Sequence, residues 1–392
     1  MNIIKHNGKQ TPCMLVAGCL IVVFLSQFAF GQAWTQLSPT GTPPDPRADS
    51  SAIYDSGSNN LIVFGGTDTG CTFFPSLNDT WRLSNADGLA AITPQWTEVF
   101  PTGTLPGGRR GHTAVYDSST DRMIIFGGDP VGCAVNKYND TWVLTNATGA
   151  HGTSAWLQLS PSGTLPSARS DHSAIYDAVN NRMTIAGGFG PAGNLNDVWV
   201  LINANGLGGT SAWVQLNPTG GPPAANAERS VTYDPASNRM TVFGGENCCI
   251  TNIYNDTWIL TQANGLGSAP KWIKQNPSGT LPLARYSAVA VYDPPTNQMT
   301  IFDGAGPGSG SGSFNEVWML TNSNGLHGRP HWSKLSPTGS SPPPRGGEVA
   351  NPGVGYDAGY GRMIIFGGNT INGLVNDVWV LSGLGTSGLP QR

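Results

Sequence analysis

The feature that most limits the possible folds of this chain is a unit that recurs six times. Trp34, Trp96, Trp156, Trp213, Trp272 and Trp332 stand 62, 60, 57, 59 and 60 residues apart. Each opens a stretch W-x-x-L/Q/V-x-P, followed by a proline-containing link, a Tyr-Asp pair, an apolar run ending in Gly-Gly, and then N-D-x-W. The fifth copy departs, with Asp303-Gly304 for Gly-Gly and Asn315-Glu316 for Asn-Asp. The second tryptophans are Trp81, Trp142, Trp199, Trp258, Trp318 and Trp379, so two per unit account for all 12 in the chain. Such a chain folds as an array whose units bury their faces against one another.

Each unit carries four short strand patterns, rich in β-branched and aromatic residues and bounded by Gly, Pro, Asn and Asp. Examples are A-I-Y, R-M-I-I-F, T-W-V-L and W-x-Q-L. The D-x-x-x-N link between the first two reads as a hairpin turn. No stretch after the leader has helical periodicity. Charged residues at 11 % and hydrophobics at 39 % argue against a disordered polyelectrolyte. Net charge −4 argues against a nucleic-acid or anionic-membrane binder. Four antiparallel strands repeated radially predict an all-β, six-bladed β-propeller. The ring starts on a fourth-strand pattern, Trp34 to Leu37, and ends after a third-strand pattern, Trp379 to Leu381. The N-terminal strand is therefore expected to close the last blade and remove a free sheet edge. Residues 32–384 are assigned to the propeller and 385–392 to a tail.

With Y-D, F-G-G, N-D-x-W and W-x-x-L-x-P in order, and an arginine before the first strand, the chain resembles the kelch-repeat family from Trp34 to about Leu384. Its period near 60 exceeds the ~50 usual there. Kelch domains that act as adaptors line the ligand mouth with arginines at this position. The resemblance thus implies Arg47, Arg109, Arg169, Arg285 and Arg345 as ligand-binding residues; His112, four residues before its Tyr, and Tyr286, which follows its arginine in the divergent fifth unit, join them as candidates. The central domain of galactose oxidase is similar, but the copper ligands of that family, one of them on an added domain, have no counterpart here. No cofactor is expected.

What repeats in every blade is explained by the fold, and departures are where function is sought. Arg47, Arg109, Arg169 and Arg285 stand seven residues before the Tyr; Arg345 precedes a four-residue insertion, and Asn226 replaces arginine in the fourth unit. Two readings stay open for these arginines. Each guanidinium bridges carbonyls of the neighbouring blade, or together they grip carboxylates or sugar hydroxyls bidentately. Four residues before the Tyr stand Ser50, His112, His172, Arg229 and Ala288, with acids alongside at Asp49, Asp171 and Glu228. Asp171, His172, Glu228 and Arg229 are the candidates for acid–base chemistry, against a reading in which the histidines only bond backbone. No H-x-H or other ligand spacing supports a metal, and none is expected. The Gly/Ser-rich link 305–314 reads as mobile, either a lid or a drifted surface loop. The N-D-T sequons at Asn78, Asn139 and Asn255 read as a blade feature, because Asn196-Asp197 and Asn376-Asp377 keep the pair without Thr.

Lys5, Lys9, the apolar run from Cys13 to Leu25 and Ala29-Phe30-Gly31 read as a cleaved signal peptide, residues 1–31. A lipoprotein box at Val16 to Cys19 is the alternative. The expected destination is the periplasm, cell surface or medium, with no transmembrane segment in the mature chain. Cys71, Cys133, Cys248 and Cys249 remain after cleavage and allow three pairings; position favours Cys71–Cys133 with Cys248–Cys249. The functional expectation is a secreted, monomeric module that binds a glycan or a protein, with no nucleic-acid partner. The alternative is a sugar mutarotase resembling the periplasmic sialic-acid mutarotases.

Overall fold

The computed structural model describes Met1 and residues 31–69, 75–89, 91–131, 136–247, 252–307, 313–346 and 351–385. The four cysteines, the leader, the middle of link 305–314 and residues 386–392 of the tail lie outside these residues. Gly31–Thr386 form one compact unit. Every regular element among the described residues is a strand.

Six sheets of four antiparallel strands form the blades, one per repeat; Ser278–Gly279 adds a short parallel edge to the fifth, and Phe189–Gly190 pairs with Gly193–Asn194 as a separate two-stranded sheet. The first blade comprises Ser51–Asp55, Asn60–Gly66, Leu77–Ser84 and Gln95–Val99. The second comprises Thr113–Asp117, Arg122–Phe126, Thr141–Thr145 and Ala155–Leu159. The next three repeat the pattern, beginning at Ser173–Asp177, Ser230–Asp234 and Val289–Asp293. The sixth has Gly353–Asp357, Arg362–Thr370 and Gly373–Ser382, completed by Ala33–Leu37 from the other end of the sequence. Register runs from Ala33 opposite Ser382 to Leu37 opposite Val378. The innermost strand of each blade touches that of the next, and the sixth touches the first. The ring is closed as the strand phase predicts.

Six apolar clusters hold the ring, one between each successive pair of blades. The recurring contact sets the Phe of one second strand against the fourth-strand Trp of the following blade. Phe64–Trp156, Phe126–Trp213, Phe243–Trp332, Phe302–Trp34 and Phe366–Trp96 have centroids 4.8–4.9 Å apart. These tilted and edge-on pairs add to the burial of large apolar area. In the hairpin turns Asn59, Asp121, Asn181, Asn238 and Asn297 take φ of 51–53°, a left-handed conformation that short polar side chains tolerate.

Candidate functional site

The repeated arginines are the first correction. Arg47, Arg109, Arg169, Arg285 and Arg345 are 0–1 % exposed. Each turns into its own blade, not across to the neighbouring one. Arg169 donates to both oxygens of Asp197 at 2.7 and 2.8 Å, to Gly187 O at 2.9 Å and to Ser167 O at 3.0 Å. Arg47–Asp79, Arg109–Asp140 and Arg345–Asp377 repeat the bidentate pair. In the fifth blade the longer Glu316 takes Arg285 through one oxygen at 2.9 Å and gives the other to Lys334. The Asp of N-D-x-W thereby has its meaning: it receives the arginine and the indole N–H of its own Trp, as Trp199 does to Asp197 at 2.7 Å. Burial alone would raise Asp197 and Asp79, but the guanidinium and indole bonds hold both below the usual carboxylate range. Four motif asparagines bond prolyl carbonyls, as Asn139 does to Pro166 at 3.3 Å, while Asn315 bonds Ser341 Oγ at 3.4 Å. Tyr286 is buried and lies outside the pocket described next.

The residues that converge on the axis stand closer to the Tyr. Asp49, Gly111, Asp171, Glu228 and Ser287, each five before it, have φ of 53–58°. Their N–H groups donate around the ring: Asp49 to Asn351 O at 2.9 Å, Gly111 to Asp49 O at 3.1 Å, Asp171 to Gly111 O at 2.7 Å. Glu228 then donates to Asp171 O at 2.9 Å and Ser287 to Glu228 O at 3.1 Å. Asn351 N instead meets the Asp49 carboxylate at 3.1 Å. This collar and the adjoining Ser50, His112, His172, Arg229 and Ala288 line a pocket of about 180 Å³. Asp171, His172, Glu228, Arg229 and His112 are therefore brought together. An Asp or Glu held left-handed is uncommon, and such outliers gather at functional positions.

Electrostatics sort the pocket. Burial, then Asp49 and Asp129, push Asp171 up. Burial, then Asp171, push Glu228 well above its ordinary range although Ser287 Oγ donates to it. Burial, then the charges of Arg109 and Arg169, keep His112 and His172 far below the usual histidine range and hence neutral. Their Nε2 atoms meet Ser51 Oγ at 2.7 Å and Thr113 Oγ1 at 2.8 Å. Both Nδ1 atoms are buried without a hydrogen-bond partner, a cost of about 1–3 kcal/mol for each group unless something meets it. Arg229, lowered by burial to about 10, keeps its charge and donates to Ala224 O at 2.6 Å. In the fourth blade Asn226 Nδ2 reaches Gly244 O at 3.3 Å, replacing one of the arginine's bonds.

A buried relay supports Asp171. Lys137 Nζ donates to Asp129 at 2.6 Å and to Ser170 Oγ at 3.0 Å, and Ser170 Oγ donates to Asp171 at 2.7 Å. Arg110 lies between Asp49 at 3.1 Å and Asp129 at 4.0 Å. Sequence reading missed Arg110, Asp129 and Lys137. The available sign was the second arginine in Arg109-Arg110, unique to that blade. Among the described residues no group of three or more His, Cys, Asp or Glu is placed to hold a metal ion. The pocket offers neutral imidazoles, proton-holding carboxyls and one cation, a set suited to hydroxyl groups and to proton transfer.

Known proteins share this architecture. Residues 89–265 match the KLHDC2/KLHL20/DRC7 Kelch-repeats domain. Kelch domain-containing protein 3 of Bos taurus is 25 % identical over 303 residues, 75 % of this chain and 72 % of that protein. Its Homo sapiens counterpart is 24 % identical over the same shares. The solved structure "Structure of YjhT" aligns with a TM-score of 0.57 at 15 % identity, covering 88 % of this chain and 95 % of that one. Six copies of the motif set close into a ring: this chain is a six-bladed β-propeller, similar over residues 89–265 to a kelch-repeats domain.

Proposed function

We propose that this protein is an exported binding module whose axial pocket takes the uncharged, hydroxyl-bearing end of a sugar or glycan. The observation that carries the reading is the collar: residues from all six blades meet at one small pocket, lined by two neutral histidines, three carboxyl groups and Arg229. Hydroxyls supply both donor and acceptor to such groups. Asp49 is paired with Arg110, and burial favours the protonated forms of Asp171 and Glu228, so these carboxyl groups can donate to hydroxyls as well as accept from them. The buried arginines belong to the blades and take no part. Saturation-transfer NMR with a panel of free reducing sugars tests this. Binding is expected, weakened about tenfold by Glu228→Ala, the worth of one or two lost hydrogen bonds. Silence across neutral sugars would refute it and point to a protein segment.

A second reading rests on Asp171 and Glu228, proton-holding groups on adjacent blades. With one proton shared between the two, the protonated carboxyl gives it to the ring oxygen while its ionised neighbour takes the anomeric hydroxyl proton, which opens a sugar ring and leaves the pair with one proton again, as the resemblance to sugar mutarotases suggests. Anomer exchange is read in the same tube. Glu228→Gln is expected to abolish exchange and spare binding.

A further inference from the structure

The other end of the axial channel has different chemistry. Tyr54, Tyr116, Tyr176, Tyr233, Tyr292 and Tyr356, one per blade, wall an opening of about 310 Å³. All six are half-buried. Their hydroxyls are already committed: Tyr54 donates to Asn59 at 3.0 Å and to Asp357 at 3.3 Å, Tyr116 to Asp121 at 3.0 Å and Tyr356 to Asp293 at 3.0 Å. Tyr176, Tyr233 and Tyr292 donate to the turn asparagines Asn181, Asn238 and Asn297 at 3.1–3.3 Å. Burial and then these carboxylates hold the phenols protonated. What remains for a ligand is mainly tyrosine ring and the aliphatic surface beneath it. Around it stand the six aspartates of the Tyr-Asp pairs. Arginines face four of them across the hairpins, while Asp55 faces Asn60 and Asp293 faces Gln298. Those arginines also reach outward to backbone carbonyls, as Arg122 does to Asn205 O at 3.0 Å and Arg239 to Asn324 O at 3.1 Å. The mouth is aromatic and, on balance, acidic.

We propose that this tyrosine-walled mouth is a second site, which binds a small organic cation of the quaternary-ammonium class. Ring faces attract such cations and need no hydrogen bond from them, and the unbalanced carboxylates add charge complementarity. A neutral polar ligand finds no tyrosine hydroxyl free to donate here, and an anion is repelled.

Choline and its uncharged carbon isostere, 3,3-dimethylbutanol, are titrated into the intact protein and followed by NMR. Choline is expected to bind and to shift tyrosine ring signals, with the isostere at least fivefold weaker. Tyr233, whose hydroxyl makes a single bond, is the position to vary. Tyr233→Phe is expected to keep binding and Tyr233→Leu to weaken it about fivefold, in the range of one cation–π contact. Glu228→Gln, at the opposite mouth, is expected to leave choline affinity unchanged. Equal binding of the isostere, no choline binding at all, or loss of choline binding in Glu228→Gln would each overturn the proposal. The isostere comparison needs no variant and decides the matter even if Tyr233→Leu fails to fold.

Discussion

Replacing Arg169 by alanine removes four hydrogen bonds from the interior of the third blade. The carbonyls of Ser167 and Gly187 lose their donor. Asp197 keeps only the Trp199 indole N–H among these bonds. Breaking a buried ion pair from one side costs about 3–5 kcal/mol. The Asp197 side chain is 22 % exposed, so water reaches it in part and the lower end, about 3 kcal/mol, is the better estimate. With an unfolding entropy of ~2.1 cal/mol/K per residue, a ring of this length should melt about 4 °C lower. Arg169→Asn reproduces the arrangement of the fourth blade, where Asn226 still reaches the glycine carbonyl, and should cost about half as much. Thermal and urea unfolding measure both variants, and sugar binding is followed in parallel. Binding by the folded fraction should be unchanged. An unaltered melting temperature together with lost binding would refute the argument and return these arginines to the ligand.

Three further outcomes are expected. Gly111→Ala places a methyl at φ 58°, against the Asp171 carboxylate; the backbone cost is about 1–2 kcal/mol, and sugar binding should fall further than stability, measured by NMR titration beside melting. Asp171, pushed up to about 7 by burial and then by Asp49 and Asp129, is raised above its unfolded value of about 3.9. Its contribution is therefore fully present below about pH 4 and is lost as pH rises through about 7. Urea midpoints of wild type should carry this decline across that window, and Asp171→Asn should reduce it, leaving the share that the raised Glu228 contributes. Deleting residues 32–39 removes the strand Ala33–Leu37 and the buried Trp34 that meets Phe302 at 4.8 Å; loss of the tryptophan alone is worth about 3–5 kcal/mol, and unchanged melting of that truncation would sink the closure argument.

The ring was legible because its determinants are local and repeated. Two tryptophans, a glycine pair and four apolar runs per unit define a blade, and the phase of the first and last strands defines the closure. The candidate site was legible only in part. Asp171, His172, Glu228 and Arg229 stood out as departures, and the structure groups them. The arginines misled because a repeated cation before an inner strand looks the same whether it faces solvent or its own blade. The answer lay some 30 residues on, in the Asp of N-D-x-W, and only the fold joins Arg169 to Asp197 at 2.7 Å. Lys137 was hidden for the same reason: its partners Asp129 and Ser170 come from adjacent blades.

The collar explains why variation is concentrated where it is. At the position five before the Tyr the backbone does the structural work, through N–H donors passed from blade to blade. Asp49, Gly111, Asp171, Glu228, Ser287 and Asn351 can therefore differ while the ring stays closed. At the Tyr itself the reverse holds, since the side chain makes the bond to the turn or the preceding blade, and all six copies keep it. Both positions lie on the same inner strand or its lead-in, one near each mouth, separated by small residues such as Ala114, Ala174 and Ala290. One mouth is thus free to take a particular ligand chemistry, while the other is bound by the fold to be aromatic and acidic. The two mouths should answer to different ligands and to different mutations, because inner-strand residues that are mostly small or apolar separate them.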